Sequence, residues 1–175
     1  MATGTVILPI GAGVPPDGTA TNLAPAIQRV KSSASAPAPY FLQAAFDAAQ
    51  EEHLIWSFRM PADYASAPVV KILFKMASAT TGNVIMNSRM AAITPGDTTD
   101  ADAKAWATVN ASAATAVPAT TAGKVGEVSI TMTNADSVAA GDFVMLSVSR
   151  DGASGSDTAT GDLELVSVAL TYTTT

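Results

Sequence analysis

Large apolar residues recur at every second position along most of this chain, from residue 40 to residue 172. Because successive side chains of a strand point to opposite faces, this spacing predicts half-buried β-strands and not helices. The clearest example is the segment 52–60, whose two predicted faces differ in polarity. One face carries Leu54, Trp56, Phe58 and Met60, and the other carries His53, Ile55, Ser57 and Arg59.

Further segments show the same alternation and are separated by turn residues. The loop 77–82 has the length and the glycine of a hairpin connection between the strands on either side of it. The further predicted strands are 69–77, 83–90, a weak strand 103–109 around Trp106, 125–133, 142–150 and 163–172. One predicted face of the last strand consists of Val166, Val168, Leu170 and Tyr172.

Residues 40–54 allow two interpretations. The stretch 41–52 is rich in alanine, which has the highest helix propensity, so a helix is one of them. A strand followed by a turn is favoured, because Tyr40 follows Pro39 and the segment 47–51 suits a turn. With eight or so strands and no long helical pattern, we predict an all-β fold, an antiparallel two-sheet jelly-roll β-sandwich.

The first 39 residues differ from the rest because they hold six of the ten prolines. Proline cannot donate to a sheet ladder, so this segment is neither a central strand nor a long helix. We expect an extended proline-rich arm at 1–39 that lies against its own domain or a neighbour, with short edge strands at 5–8 and 26–31. The jelly-roll domain is then expected at 40–175, and a length of 175 residues fits one such domain.

The charge and composition of the chain limit its partners. It has nine basic and fifteen acidic side chains and a formal net charge of -6, whereas nucleic-acid binding needs clustered Lys and Arg. The absence of cysteine excludes disulfides and zinc–thiolate sites. No basic region precedes the first apolar run, and no run approaches the ~18 apolar residues of a membrane span. We therefore expect a soluble protein, made in a cytoplasm, without nucleic-acid or membrane partners.

Few residues offer catalytic or ligating chemistry. His53 is the only histidine, and without a G-x-S-x-G elbow it is expected to be an exposed residue at the start of a strand. Loop aspartates near 97–102 and 151–162 lack the order of an EF-hand loop. Gly11-Ala-Gly13 is followed by two prolines instead of a helix, so it indicates a turn. We predict no catalytic, cofactor-binding or metal site, no enzymatic activity, no cofactor and no small-molecule substrate.

Two blocks of sequence carry a recognisable pattern. The first runs through residues 56–70, from Trp56-Ser-Phe to Pro68-Val-Val, and continues into Gly82-Asn-Val84. The second joins Gly141-Asp through Arg150-Asp to the segment 156–172, and together the blocks cover a little over a third of the chain. They resemble the jelly-roll virion structural proteins of tailed phages. Met86 departs from the pattern, since a tryptophan is expected there.

The resemblance implies a non-enzymatic homotrimer that binds the major capsid protein on the outside of a phage capsid and reinforces the shell, as a decoration or cement protein. Such a protein is synthesised in the cytoplasm of the bacterial host, and a chain with only 14% charged residues has a surface that suits contact with other subunits. Similar domains occur in tail fibres and baseplates, so a module that binds the host surface is the alternative. The resemblance also implies an ion pair between Arg150 and Asp157 that brackets the last loop, and core or strand-end positions for Trp56, Phe58, Pro61 and Tyr64.

Overall fold

The computed structural model describes residues 2–175, and residue 1, which belongs to the predicted arm, lies outside the described residues. Within that range there are twelve strands, two short 3-10 helices and no α-helix. No helix in this part of the chain is long and apolar enough to cross a membrane. The strands are β1 (Thr3–Leu8), β2 (Ala26–Lys31), β3 (Tyr40–Phe46), β4 (His53–Arg59), β5 (Tyr64–Met76), β6 (Asn83–Val84), β7 (Met86–Ile93), β8 (Asn110–Ala111), β9 (Thr115–Ala116), β10 (Gly126–Thr131), β11 (Phe143–Arg150) and β12 (Leu163–Thr174), and the 3-10 helices are Ile10–Ala12 and Ala101–Ala103.

The strands form two antiparallel sheets around a common core. The larger sheet has the order β10-β5-β12-β3-β2, and β1 pairs with the part of the β12 edge that β3 leaves free. The smaller sheet has the order β4-β11-β7-β8, and β6 pairs with β9 as a separate ribbon. The molecule is therefore an all-β sandwich of jelly-roll type, which confirms the predicted fold class.

The core lies between the sheets and consists of the inward-facing side chains that the alternation predicts. In β4 the side chains of Leu54 and Trp56 are buried, whereas Arg59 on the opposite face is exposed. Phe74 of β5, which belongs to the larger sheet, is buried in the same core. Each large side chain buried in this way contributes roughly 1.5–3 kcal/mol. The indole N–H of Trp56 donates a hydrogen bond to the carbonyl oxygen of Pro9 at 2.8 Å, so the polar atom of this core residue is satisfied.

The proline-rich segment contributes two strands to the larger sheet. β1 lies antiparallel to β12, and β2 lies antiparallel to β3 at the edge, so both predicted strands of the arm form against the chain's own sandwich. Between them, Val14 forms a bridge with Ile55 and Leu23 forms a bridge with Glu52. These bridges hold the connection between β1 and β2 along the edge of β4.

Residues 40–46 form a strand, so the favoured interpretation of this ambiguous segment is confirmed. Phe46 is buried between the sheets, where it lies opposite Leu163 of β12. Pairing with β2 on one side and β12 on the other outweighs the helix propensity of the alanines. The expected turn follows, and the Asp47 carboxylate accepts a hydrogen bond from the backbone N–H of Ala49 at 2.6 Å.

The prediction of a strand at 103–109 is wrong. Residues 104–109 form no strand, and their tie to the smaller sheet is a hydrogen bond from the Ala107 N–H to the carbonyl oxygen of Met90 at 3.0 Å. Apart from Trp106 and Val109 the segment contains only alanine, lysine and threonine, so a strand here would have little apolar area to bury. Pairing with β7 begins at Asn110 instead.

The expected hairpin at 77–82 is also wrong. β5 belongs to the larger sheet and β7 to the smaller one, so this loop carries the chain from one sheet to the other. Gly82 has a φ of +93°, and a Cβ added there would lie 2.8 Å from the carbonyl oxygen of Thr158. The glycine is thus required by a close approach of two backbones and not by a two-stranded turn.

β12 contains a β-bulge between Leu165 and Ser167, which changes the face of the residues around it. Leu165 is buried and Val166 is only half-buried, so the predicted inner position of Val166 is wrong. Beyond the bulge the predicted face is correct, and its buried members are Val168, Leu170 and Tyr172.

Arg150, at the end of β11, is completely buried although it is charged. Its Nε and Nη2 donate to the two carboxylate oxygens of Asp157, at 3.0 and 2.7 Å, which confirms the ion pair implied by the resemblance. Its guanidinium also donates to the carbonyl oxygens of Gly161 and Ala159, each at 2.6 Å. Asp157 accepts a further hydrogen bond from the Ile85 N–H at 3.0 Å. The pair therefore fastens the last loop both to β11 and to the segment that changes sheets.

Replacing Asp157 with asparagine keeps the shape of the side chain but leaves the Arg150 charge buried without its partner. Because removal of one member of a buried pair costs about 3–5 kcal/mol, Asp157→Asn should lower the free energy of unfolding in urea by that amount. The control is Glu127→Gln, which breaks the exposed Lys71–Glu127 pair and should cost under about 1 kcal/mol. Equally small losses in both variants would contradict the structural role of the buried pair.

Candidate functional site

The outer face of the smaller sheet has short side chains on its middle strand and longer ones on both sides. Ser147 and Ser149 of β11 point outward, because their neighbours Leu146 and Val148 point into the core. The difference in length between serine and the flanking side chains leaves a trough along β11. Its two rows of side chains are His53–Ser149–Asn87 and Ile55–Ser147–Arg89.

Two connections turn this trough into a cleft of about 510 Å³. On the β4 side the wall consists of Pro16 and residues 20–23, and the N–H of His53 donates to the carbonyl oxygen of Leu23 at 2.8 Å. On the other side stands Trp106, which the adjacent hydrogen bond from Ala107 to β7 holds in place. The indole of Trp106 remains 39% exposed. The cleft thus combines a polar floor with one uncovered aromatic ring.

Glu51, directly before β4, is the most constrained side chain in the cleft. Its Oε1 accepts hydrogen bonds from the Asn87 amide at 3.1 Å, from the Arg89 guanidinium at 3.3 Å and from the Ser149 hydroxyl at 2.8 Å. Its Oε2 has no hydrogen-bond partner among residues 2–175. The carboxylate is therefore held through one oxygen, and the other is free to accept a hydrogen bond from a bound molecule.

The electrostatic state of the cleft follows from two pKa shifts. Partial burial lowers the pKa of His53 below its ordinary value of 6.5, and this outweighs the opposing effect of the Glu51 charge. Burial raises the pKa of Glu51, but hydrogen bonds from Asn87 and Ser149 and the charge of Arg89 together lower it more. At neutral pH the imidazole is therefore neutral, the carboxylate is ionised, and its charge is balanced by Arg89.

His53 and Ser147 are neighbours, with Nδ1 3.4 Å from Oγ, but they do not form a catalytic triad. In a triad the carboxylate holds one ring nitrogen and the serine is bonded to the other. In the described part of the chain no hydrogen bond joins Glu51 to His53. The cleft offers donors, acceptors and an aromatic face, which is an arrangement for binding. His53 is half-buried, so the expected exposed position is wrong, because the connection at residues 20–23 lies beside it and its backbone N–H donates to Leu23.

The loop aspartates identified in the sequence have local roles. Asp97 accepts hydrogen bonds from Thr99, and Asp100 accepts one from the N–H of Asp102 at the start of the second 3-10 helix. Asp157 is taken up by the buried Arg150 pair. Among residues 2–175 no three His, Asp or Glu side chains are grouped so as to hold a metal ion. The Gly11–Gly13 stretch lies in the first 3-10 helix and its C-cap.

The sequence did not identify Glu51, Arg89, Ser147 and Trp106 as residues that line one cleft. Glu51 and Arg89 are distant in sequence and meet only because β4 and β7 both pair with β11. One signal was present: Ser147 and Ser149 alternate with large apolar residues, which indicates a small-residue outer face on an otherwise strong strand. Their partners depend on strand order, which the alternation does not determine.

The single histidine makes the electrostatic account measurable by NMR titration. The midpoint of the His53 imidazole should lie below 6.5 because burial disfavours its charged form. Glu51→Gln should lower the midpoint further, since it removes the charge that favours the imidazolium, and Arg89→Gln should raise it.

The lowered pKa of His53 also makes the free energy of unfolding depend on pH. A base whose pKa is lowered by folding contributes stability that is present above pH 6.5 and is lost as the pH falls through the folded-state value. Urea unfolding of the native protein should therefore show a falling free energy below pH 6.5, and His53→Gln should flatten that slope. A midpoint at or above 6.5, or an unchanged slope in His53→Gln, would contradict the account.

Solved structures similar to this chain include two that match it at low identity. No family model and no curated protein matches it. The N-terminal CBM22-1–GH10 modules of endo-1,4-beta-D-xylanase 10B from Clostridium thermocellum, complexed with xylohexaose, match 85% of the chain at 12% identity and a TM-score of 0.45, and the chain spans only 24% of that structure. The CBM22-2 xylan-binding domain from Paenibacillus barcinonensis Xyn10C matches at 13% identity and a TM-score of 0.46, over 94% of this chain and 93% of that one. The assignment of the fold follows from the strand order and pairing within the chain itself.

Proposed function

We propose that this chain is a non-enzymatic structural protein of a phage virion, which binds the outside of the capsid as a homotrimer and reinforces the shell. The observation that carries the proposal is an exposed apolar hairpin on the larger sheet. Its partners are other copies of the chain and the major capsid protein. The resemblance of residues 56–84 and 141–172 to phage virion proteins supports the same role.

The hairpin of β2 and β3 has partly exposed apolar side chains on both faces at its distal end. Only residues 44–46 of β3 pair with β12, so residues 40–43 pair with β2 alone. Tyr40, Phe41 and Leu42 are 57%, 39% and 40% exposed, and because consecutive strand residues point to opposite faces, each face of the hairpin carries partly exposed apolar area. A two-stranded hairpin is marginally stable in water by itself. This apolar surface therefore favours contact with another subunit.

The charges of the chain are segregated in a way that suits contact between copies. Residues 18–46, which include the hairpin, contain Arg29 and Lys31 and no acidic residue. The rest of the chain has seven basic and fifteen acidic side chains. A basic hairpin of one copy is thus complementary to the acidic body of the next.

A contact between the hairpin of one copy and the body of another joins two different surfaces. Such head-to-tail contacts close into rings when the rotation between copies permits, and a trimer is one such ring. Three weak capsid contacts on one trimer then act at high effective concentration, so the assembly is held on the shell without any single strong site.

The cleft on the smaller sheet favours a second candidate, a tail-fibre or baseplate module that binds the host surface. A recognition module needs a recess with an exposed aromatic ring and oriented polar groups, and Trp106 and Glu51 supply both. This candidate differs from the first in the number of copies on each virion.

Substituting the exposed aromatic residues of the hairpin should abolish assembly without unfolding the subunit. Tyr40→Ser/Phe41→Ser removes two large, partly exposed side chains that lie outside the buried core, so the core between the sheets is left intact. If each contributes more than about 1 kcal/mol to the interface, the trimer dissociation constant should rise roughly 30-fold or more in sedimentation, and binding to capsids that lack the protein should be lost.

The control is Val125→Ser/Phe143→Ser, whose side chains are 59% and 40% exposed, close to those of the hairpin pair. This variant should assemble and bind capsids as the wild type does. The proposal would be contradicted by a wild-type protein that sediments as a monomer, or by a hairpin variant that still saturates capsids.

A further inference from the structure

We propose that the cleft on the outer face of the smaller sheet is a binding site for a neutral saccharide. The site is built on β4, β7 and β11 of the smaller sheet, whereas the exposed hairpin belongs to the larger sheet. The inference goes beyond the capsid role and does not depend on it.

The charge balance of the cleft determines which class of ligand it accepts. Its charged lining residues are Glu51 and Arg89, and these two form an ion pair at 3.3 Å. An anionic ligand that approached Arg89 would meet the Glu51 carboxylate, and a cationic ligand would meet the guanidinium. An apolar ligand would displace water from both charged groups without forming hydrogen bonds to them. This desolvation costs free energy. A neutral ligand rich in hydroxyl groups avoids all three penalties.

The polar groups of the cleft have unused hydrogen-bonding capacity that suits hydroxyl groups. Glu51 offers Oε2 as a free acceptor, because Oε1 already holds three donors. Arg89 has five N–H donors and uses one of them on Glu51 within the described residues. A hydroxyl group both donates and accepts, so adjacent hydroxyls of one sugar ring satisfy the carboxylate and the guanidinium together.

Trp106 supplies the apolar half of such a site. The electron-rich face of an indole attracts the weakly positive C–H groups that line one side of a sugar ring. Trp106 is held beside β7 and residues 20–23 are held beside β4, with the polar floor between them. A sugar ring in the cleft therefore has both an aromatic group and hydrogen-bonding groups within its surroundings.

The cleft is also ordered before a ligand binds. In the wall loop, the Gly18 N–H donates to the carbonyl oxygen of Asn22 at 2.9 Å, and the Asn22 N–H donates to that of Thr19 at 2.8 Å. Glu51 is fixed by its three donors. A volume of about 510 Å³ lies within the ~300–1,000 Å³ usual for small-molecule sites. Little conformational entropy is lost on binding when the groups are already in position.

The test follows the side-chain NMR signals of the full chain during titration with defined probes. The neutral probes are maltohexaose, cellohexaose, dextran, mannan and a hexamer of N-acetylglucosamine, and the charged probes are polygalacturonate and chitosan. At least one neutral probe should shift the indole signal of Trp106 and the imidazole signal of His53 saturably. The indole signal of Trp56, which is buried in the core, should not move.

Variants separate this site from unspecific binding. Trp106→Ala and Glu51→Gln should each weaken binding of that probe about tenfold or more, and Trp106→Phe should retain part of it. Glu127→Gln, which neutralises a carboxylate of the larger sheet, should bind as the wild type does. The fold of each variant is checked by the unchanged indole signal of Trp56.

The inference is overturned if no neutral probe shifts both signals at millimolar concentration, if only the charged polymers bind, or if Trp106→Ala binds as well as the wild type. Trp106→Ala should still form trimers and bind capsids, and Tyr40→Ser/Phe41→Ser should still bind the saccharide. The two proposals can therefore fail separately.

Discussion

A guanidinium with no access to water fixes the loop that joins β11 to β12. Arg150 is buried at the end of β11, and its charge is compensated by Asp157 and by two backbone carbonyl groups of the same loop. Asp157 also binds the N–H of Ile85, where the chain passes from the larger to the smaller sheet. One ion pair thus joins the end of β11, the loop that leads to β12 and the crossing between sheets. Because an unpaired buried charge is costly, these three segments adopt one arrangement together.

The same strand connects this constraint to the candidate site. The alternation that turns Arg150 inward turns Ser149 outward, and two positions earlier it turns Ser147 outward as well. Pairing of β11 with β4 and β7 then brings Glu51 and Arg89 to the two sides of these serines. The cleft is therefore a consequence of register and side-chain length on one central strand. Its walls come from connections whose ends are tied to the sheet edges.

The parts of the fold that depend on local alternation could be predicted from the sequence, and the parts that depend on strand order could not. Leu54 and Trp56 are buried as predicted because their strand contains no bulge. Val166 is not, because it is the extra residue of the bulge between Leu165 and Ser167, and alternation carries no information about bulges. Gly82 was recognised as a special position but assigned to a hairpin, since a glycine required by a distant backbone looks the same in sequence as one required by a turn. Glu51 and Arg89 were not recognised as a pair for the related reason that only the register brings them together.

The hairpin of β2 and β3 presents partly exposed apolar side chains on both of its faces, in a chain with only 14% charged residues. We propose that other subunits cover it, first within a trimer and then on a capsid shell. The most direct measurement is the number of copies of the chain on each purified virion, determined by quantitative mass spectrometry against the major capsid protein. The account predicts copies in the hundreds, in a multiple of three, bound to the shell. A count of only a few copies, located at the tail, would contradict it.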